Sequence, residues 1–209
     1  MIYRKTIPNL LTFARVLAVP VSLALICFVP ECSMALFWIF IAASLTDLLD
    51  GYLARKWNAV SALGTFLDPV ADKLLVALML IYLLTRFGTM LLLPVIVILL
   101  REIYISALRE FLAAKRVALP VSQGGKLKTA LQMIAVTLLL GHLAYNPPNA
   151  LNFPCSIVET MKGVLTTSCT TQPWLLRLAE HAGKPMLDVA ALVALVTALH
   201  YTWSARKSF

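Results

Sequence analysis

Charge is what this 209-residue chain has least of: 13% of its residues are Asp, Glu, Lys or Arg, while 60% are apolar. An ordinary globular domain is about 25% charged and about 45–50% apolar. One water-soluble core of this size cannot hide so much apolar side chain, and the mean hydropathy of +0.85 agrees. The chain reads as an integral membrane protein. Glycine (8) and proline (11) are too few for collagen or low-complexity disorder, and no polar tract is present. Strand-like alternation is missing too, which leaves helices as the spanning element. The three histidines, His142, His181 and His200, are isolated and have no metal-ligand spacing, so they read as interface residues. Acid is scarcer than base, 10 residues against 18, for a net charge of +8. On a soluble protein that excess would suggest nucleic acid. Here no aromatics interleave with the basic residues, so nucleic acid is excluded and the cations read as flanks facing cytoplasm and anionic lipid.

A crossing needs about 20 apolar residues. Six such stretches lie near 7–29, 34–55, 66–86, 91–113, 127–146 and 186–205. The breaks between them carry turn chemistry: Pro30-Glu31, Phe87-Gly88, Ser122 to Gly125, Asn146 to Asn149, and Gly183-Lys184-Pro185. Basic residues collect at alternate ends. With the N-terminus inside, the cytoplasmic ends hold Arg4, Lys5, Arg55, Lys56, Lys115 and Arg116 among others, and the outer face keeps Arg86, Lys162, Arg177 and Lys184. Both termini are therefore expected in the cytoplasm. Arg15 interrupts the first apolar run and no small-residue cleavage site closes it, so that run reads as an uncleaved span. The whole chain, 1–209, reads as one transmembrane catalytic domain with an extracytoplasmic loop insertion at 147–184. Cys155 and Cys169 fall in that loop, and Cys27 and Cys32 lie near the outer end of the first span; the four allow three full pairings, with buried inert thiols as the alternative.

Four of the ten acidic residues crowd into one window as Asp47, Asp50, Asp68 and Asp72. An Asp mid-span costs about 2.5–3.5 kcal/mol, so four cost on the order of 10 kcal/mol, comparable to the stability of a domain. Something must offset that. Asp47 and Asp50 are i and i+3 on one helix, and Asp68 and Asp72 are i and i+4 on the next, so each pair projects from one face. A short loop between antiparallel helices lets the pairs converge. Converging carboxylates repel unless cations sit among them, and a window with no His or Cys offers only oxygen, which selects a hard ion such as Mg²⁺ or Mn²⁺. Gly51 and Gly64 each lie one turn from a carboxylate, where a missing side chain admits either a bulky ligand or a close helix.

The window matches D-x2-D-G-x2-A-R-x8-G-x3-D-x3-D at every fixed position, from Asp47 through Gly51, Ala54, Arg55 and Gly64 to Asp72. That pattern resembles the signature of the CDP-alcohol phosphotransferases. The opening around Asn9, Thr12 and Arg15, the run from Arg101 to Glu110, and Gly125 to Thr129 are similar to a bacterial subfamily that joins CDP-diacylglycerol to glycerol 3-phosphate. The likeness covers roughly residues 1–145. It implies an all-α polytopic fold of about six transmembrane helices, dimeric, in the bacterial inner membrane, with the site open to the cytoplasmic half. It also implies two Mg²⁺ per site, Mn²⁺ being possible. Asp47, Asp50 and Asp68 would hold the first, and Asp47, Asp68 and Asp72 the second. Asp72 would also be the catalytic base on the acceptor hydroxyl. Gly51, Arg55 and Ser61 would contact the CDP-lipid, with Asn9 and Thr12 near the nucleotide. Two metals clamped by carboxylates suit the charge that builds when CMP is displaced.

On the acceptor side, Arg101 and Arg109 are eight residues apart and share a face of the fourth helix, and Lys126 and Lys128 open the fifth. A basic cluster at a helix N-terminus suits an anionic acceptor, glycerol 3-phosphate, better than serine, choline or inositol. Snorkelling to lipid headgroups, or an internal Arg101–Glu102 or Arg109–Glu110 ion pair, is the alternative. Membrane lipids surround the site in either case. Two rival functions remain open: a cardiolipin synthase of the same family, and a carboxylate-based cation transporter. A transporter has no need of Gly51, Arg55 and Gly64 at these spacings.

Overall fold

The computed structural model describes residues 3–29, 32–57, 62–115, 123–145 and 174–206, with backbone alone over 3–12, 48–57 and 62–66 and at 68, 123, 175, 176 and 205. Six α-helices make up this part: α1 (Tyr3–Phe28), α2 (Ser33–Trp57), α3 (Ala62–Phe87), α4 (Leu92–Ala114), α5 (Gln123–Tyr145) and α6 (Trp174–Arg206). Among the described residues there is no strand, as the all-α reading requires.

The apolar stretches 69–114, 124–145 and 177–204 are long enough to cross a membrane, and Phe13–Phe28 and Ser33–Asp47 are shorter apolar helices. The first of these stretches is two helices rather than one. A short 3₁₀ turn, Gly88–Leu91, separates α3 from α4, and Lys73 Nζ donates to Ser106 Oγ at 2.6 Å. On one straight helix those residues would be about 50 Å apart, so the chain reverses at the turn. Gly88 takes φ +70°, the left-handed region that favours glycine, which accounts for the break expected at Phe87-Gly88.

Contacts close the six helices into a ring: α1 lies against α2 and α3, α3 meets α4, α4 packs on α6, α6 on α5, and α5 on α2. The core runs through its centre, with Leu36 and Phe40 of α2, Met79 and Leu83 of α3, Ile98 of α4, Leu139 of α5 and Leu187 of α6 buried together. Outside, Leu93, Ile103, Leu192, Val196 and Leu199 are exposed. Large apolar side chains on the outer surface mark a protein embedded in a membrane.

Two expected boundaries move. The sixth helix starts at Trp174, not near 186, and runs through Gly183-Lys184-Pro185. Pro185 forfeits one backbone hydrogen bond, but neighbours hold that turn in place. Lys184 Nζ donates to Glu180 Oε1 at 2.6 Å, Glu180 Oε2 is 3.4 Å from His142 Nε2 of α5, and Lys184 Nζ stands 4.9 Å over the Phe87 ring. Gly183 is a packing residue here: a Cβ would come 2.8 Å from Leu139 Cγ. The fifth helix likewise starts earlier, at Gln123, with Gly124 and Gly125 in its first turn. Of the expected outer loop, 147–173 with Cys155 and Cys169 lies outside the described residues, and 174–184 is helical. Cys27 is exposed on α1, not buried, while Cys32 is buried, and burial pushes the Cys32 thiol above its ordinary pKa.

Candidate active site

Three helices meet at the carboxylate window. Arg15 of α1 points into the bundle and is buried, because α1 lies against both α2 and α3. Its Nη1 is 3.1 Å from Asp47 Oδ1 of α2, and its Nε is 3.3 Å from Asp72 Oδ1 of α3. Both contacts are ionic and neither nitrogen meets hydrogen-bond geometry. The first and last carboxylates of the motif, 25 positions apart in sequence (72 minus 47), are thus brought to one guanidinium. Asp50, Gly51 and Arg55 continue α2, Asp68 continues α3, and Asn9 and Thr12 lie on α1, but their side chains fall outside the described residues, as Ser61 does entirely.

The donor set is all oxygen, and Asp47 and Asp72 are each about half open at the side chain, 48% and 40%. That chemistry fits a hard divalent cation. No group of three or more His, Cys, Asp or Glu side chains gathers among the described residues; the remaining two carboxylates of the window lie outside them.

The residue after Asp72 leads to the cations expected on the acceptor side. Lys73 donates to Ser106 of α4 at 2.6 Å, and Ser106 donates back to the Glu102 carbonyl at 2.6 Å. Glu102 is the hub. Its Oε1 accepts from Lys128 Nζ of α5 and from Arg101 Nη1 at 3.1 Å, and Arg101 Nη2 reaches Thr197 Oγ1 of α6 at 3.4 Å. Lys128 is buried. Of the four cations expected to read an acceptor, the structure therefore joins Arg101 and Lys128 through Glu102. Arg109 and Lys126 are exposed at the ends of α4 and α5.

The internal Arg101–Glu102 pair, the alternative to acceptor binding, is present, while the joining of Lys128 to Glu102 and of Arg15 to two carboxylates was not foreseen. Each carried a signal. A lone Arg within an apolar run must find a counter-charge, and an acid beside Arg101 in a spanning helix must find cations.

The described residues thus gather two carboxylates on one guanidinium and two cations on one carboxylate. The profile of the CDP-alcohol phosphatidyltransferase family matches residues 5–174, and the chain belongs to that family. The family is metal-dependent. The chain is 44% identical over 137 residues to a CDP-diacylglycerol–glycerol-3-phosphate 3-phosphatidyltransferase of Rickettsia typhi, covering 65% of this chain and 76% of that one. It is 36% identical over 205 residues to the protein of that name in Salmonella choleraesuis, covering 96% and 94%. With CDP-diacylglycerol–glycerol-3-phosphate 3-phosphatidyltransferase 2 of Arabidopsis thaliana it shares 46% identity over 151 residues, covering 65% and 64%.

Proposed function

We propose that this chain transfers the phosphatidyl group of CDP-diacylglycerol to glycerol 3-phosphate, releasing CMP and forming phosphatidylglycerophosphate. The observation that carries this reading is the convergence of Asp47 and Asp72 beside a cation cluster linked through Lys73 and Ser106. Relatives of that printed activity along nearly the whole chain support it.

Asp47, Asp50, Asp68 and Asp72 would hold two Mg²⁺, which when bound supply positive charge to the diphosphate and the departing CMP. Gly51, Arg55 and Ser61 would contact the CDP-lipid, Arg55 as a fixed cation for the diphosphate, with Asn9 and Thr12 near the nucleotide. Asp72 takes the proton from the acceptor hydroxyl as its oxygen bonds to the phosphatidyl phosphorus and the bond to CMP breaks. Arg101, Arg109, Lys126 and Lys128 bind the acceptor phosphate. An acceptor with nearly two negative charges leaves water only where cations replace its hydration.

In this reading 1–209 is one domain of six spans, with the excursion between α5 and α6 on the outer face. It works as a homodimer in the inner membrane, with both termini cytoplasmic.

The test is purified protein in nanodiscs with labelled CDP-diacylglycerol, Mg²⁺ and one acceptor at a time. Equal yields of CMP and phosphatidylglycerophosphate are expected with glycerol 3-phosphate. Turnover with phosphatidylglycerol in its place would reassign the chain as a cardiolipin synthase. Cation flux without CMP release would make it a transporter.

A further inference from the structure

Arg15 contacts both ends of the motif, and exposure differs across the contact. The guanidinium side chain is 1% exposed, against 48% for Asp47 and 40% for Asp72. It therefore meets the carboxylates from the closed side of the bundle, and their other side stays open to a ligand. Two carboxylates on neighbouring helices repel unless a cation lies between them. A buried guanidinium is equally unstable without anions. Each half of this contact explains the other.

We propose that Arg15 is a positioning residue and resident counter-cation of the carboxylate site: it holds Asp47 and Asp72 together when no divalent ion is bound, and it competes with that ion for them. The proposal rests on Asp47 and Asp72 being metal ligands. Its physical content is an exchange of cations. Without a divalent ion, Arg15 alone of the described residues balances both carboxylates; with the ion, that balance is shared, so the stability Arg15 contributes should shrink as the ion binds. The planar fork of Arg reaches two acceptors at once, which the point charge of Lys cannot do.

Thermal unfolding of the full chain in detergent, with chelator and with saturating MgCl₂, tests this. Mg²⁺ should raise the unfolding temperature of the wild type. Arg15→Gln should unfold earlier than wild type in chelator and recover more on adding Mg²⁺, its increment exceeding the wild-type one by about 2–4 °C or more. Arg15→Lys should fall between the two. A side chain that merely anchors α1 would lower both temperatures alike, so equal increments would overturn the proposal and leave the metal reading standing. No increment in the wild type would overturn both. If Arg15→Gln does not fold, an Arg15→Lys increment equal to wild type is the overturning result. Turnover gives a second readout: in Arg15→Gln the Mg²⁺ concentration for half-maximal rate should fall, because a competitor is gone. The maximal rate should fall too, because Asp72 is no longer held. A rise in that concentration would count against the competition.

Discussion

At the scale of single residues, Glu102 gathers two cations as Arg15 gathers two carboxylates. It accepts from both Lys128 and Arg101, so truncating it strands Lys128, a buried ammonium. Glu102→Gln should lower stability by about 1.5–3 kcal/mol, the range for hydrogen bonds to charged groups. Pairing Glu102→Leu with Lys128→Met should recover part of that loss, because the buried ammonium goes with its partner and the Arg101 that stays keeps Thr197; a thermal double-mutant cycle measures it. Arg109 and Lys126 are exposed and predict a different signature. Arg109→Gln or Lys126→Gln should raise KM for glycerol 3-phosphate by roughly 10- to 150-fold with unfolding temperature unchanged and KM for CDP-diacylglycerol nearly so. Lys128→Gln should lose both stability and acceptor use. Equal losses for the two substrates in the exposed variants would refute the assignment. The four Asp residues were legible in the sequence because charge in an apolar run is costly and must be offset. That Asp47 and Asp72 share Arg15, and Lys128 belongs to Glu102, was not legible. Those pairings depend on which helix faces which, and spacing along one helix says nothing of that.

At the scale of elements, two glycines show how differently the same residue type shapes this bundle. Gly88 takes φ +70° with nothing within 4 Å of a would-be Cβ, so its constraint is backbone alone. Gly88→Asn should be nearly tolerated and Gly88→Val should cost about 1–2 kcal/mol, since Asn visits the left-handed region and β-branched residues do not. Gly183 is buried against Leu139, its Cβ position 2.8 Å from Leu139 Cγ. There the cost should follow volume, with Gly183→Ala and then Gly183→Val progressively lowering the unfolding temperature through about 1–3 kcal/mol of overpacking. A reversed order at either site, read by thermal unfolding, would disprove the distinction. The helix count was legible from apolar length and turn residues, and the reversal at Gly88 was legible from glycine itself. The start of α6 was not. Gly-Lys-Pro reads as a break, yet Glu180, Lys184 and His142 stitch that turn to α5 from outside the local sequence.

At the scale of the whole molecule, large apolar side chains are exposed around the ring, and exposed cations such as Arg86, Arg109, Lys115 and Lys126 sit towards the helix ends. In a background without the four native cysteines, Met90→Cys in the α3–α4 turn should react with an impermeant thiol reagent from the outer face. Lys115→Cys, at the end of α4, should react only when the cytoplasmic face is opened. The opposite pattern would invert the topology. The helices also differ in reach. α6 has 33 residues, about 50 Å, against a hydrocarbon layer of about 30 Å. α1 and α2, with 26 and 25 residues, are about 38–39 Å long, so α6 outreaches them by about 10 Å. A helix longer than the hydrocarbon layer tilts or stands out into the headgroups, and Trp174, exposed at the start of α6, is the kind of side chain that anchors a projecting end at that level.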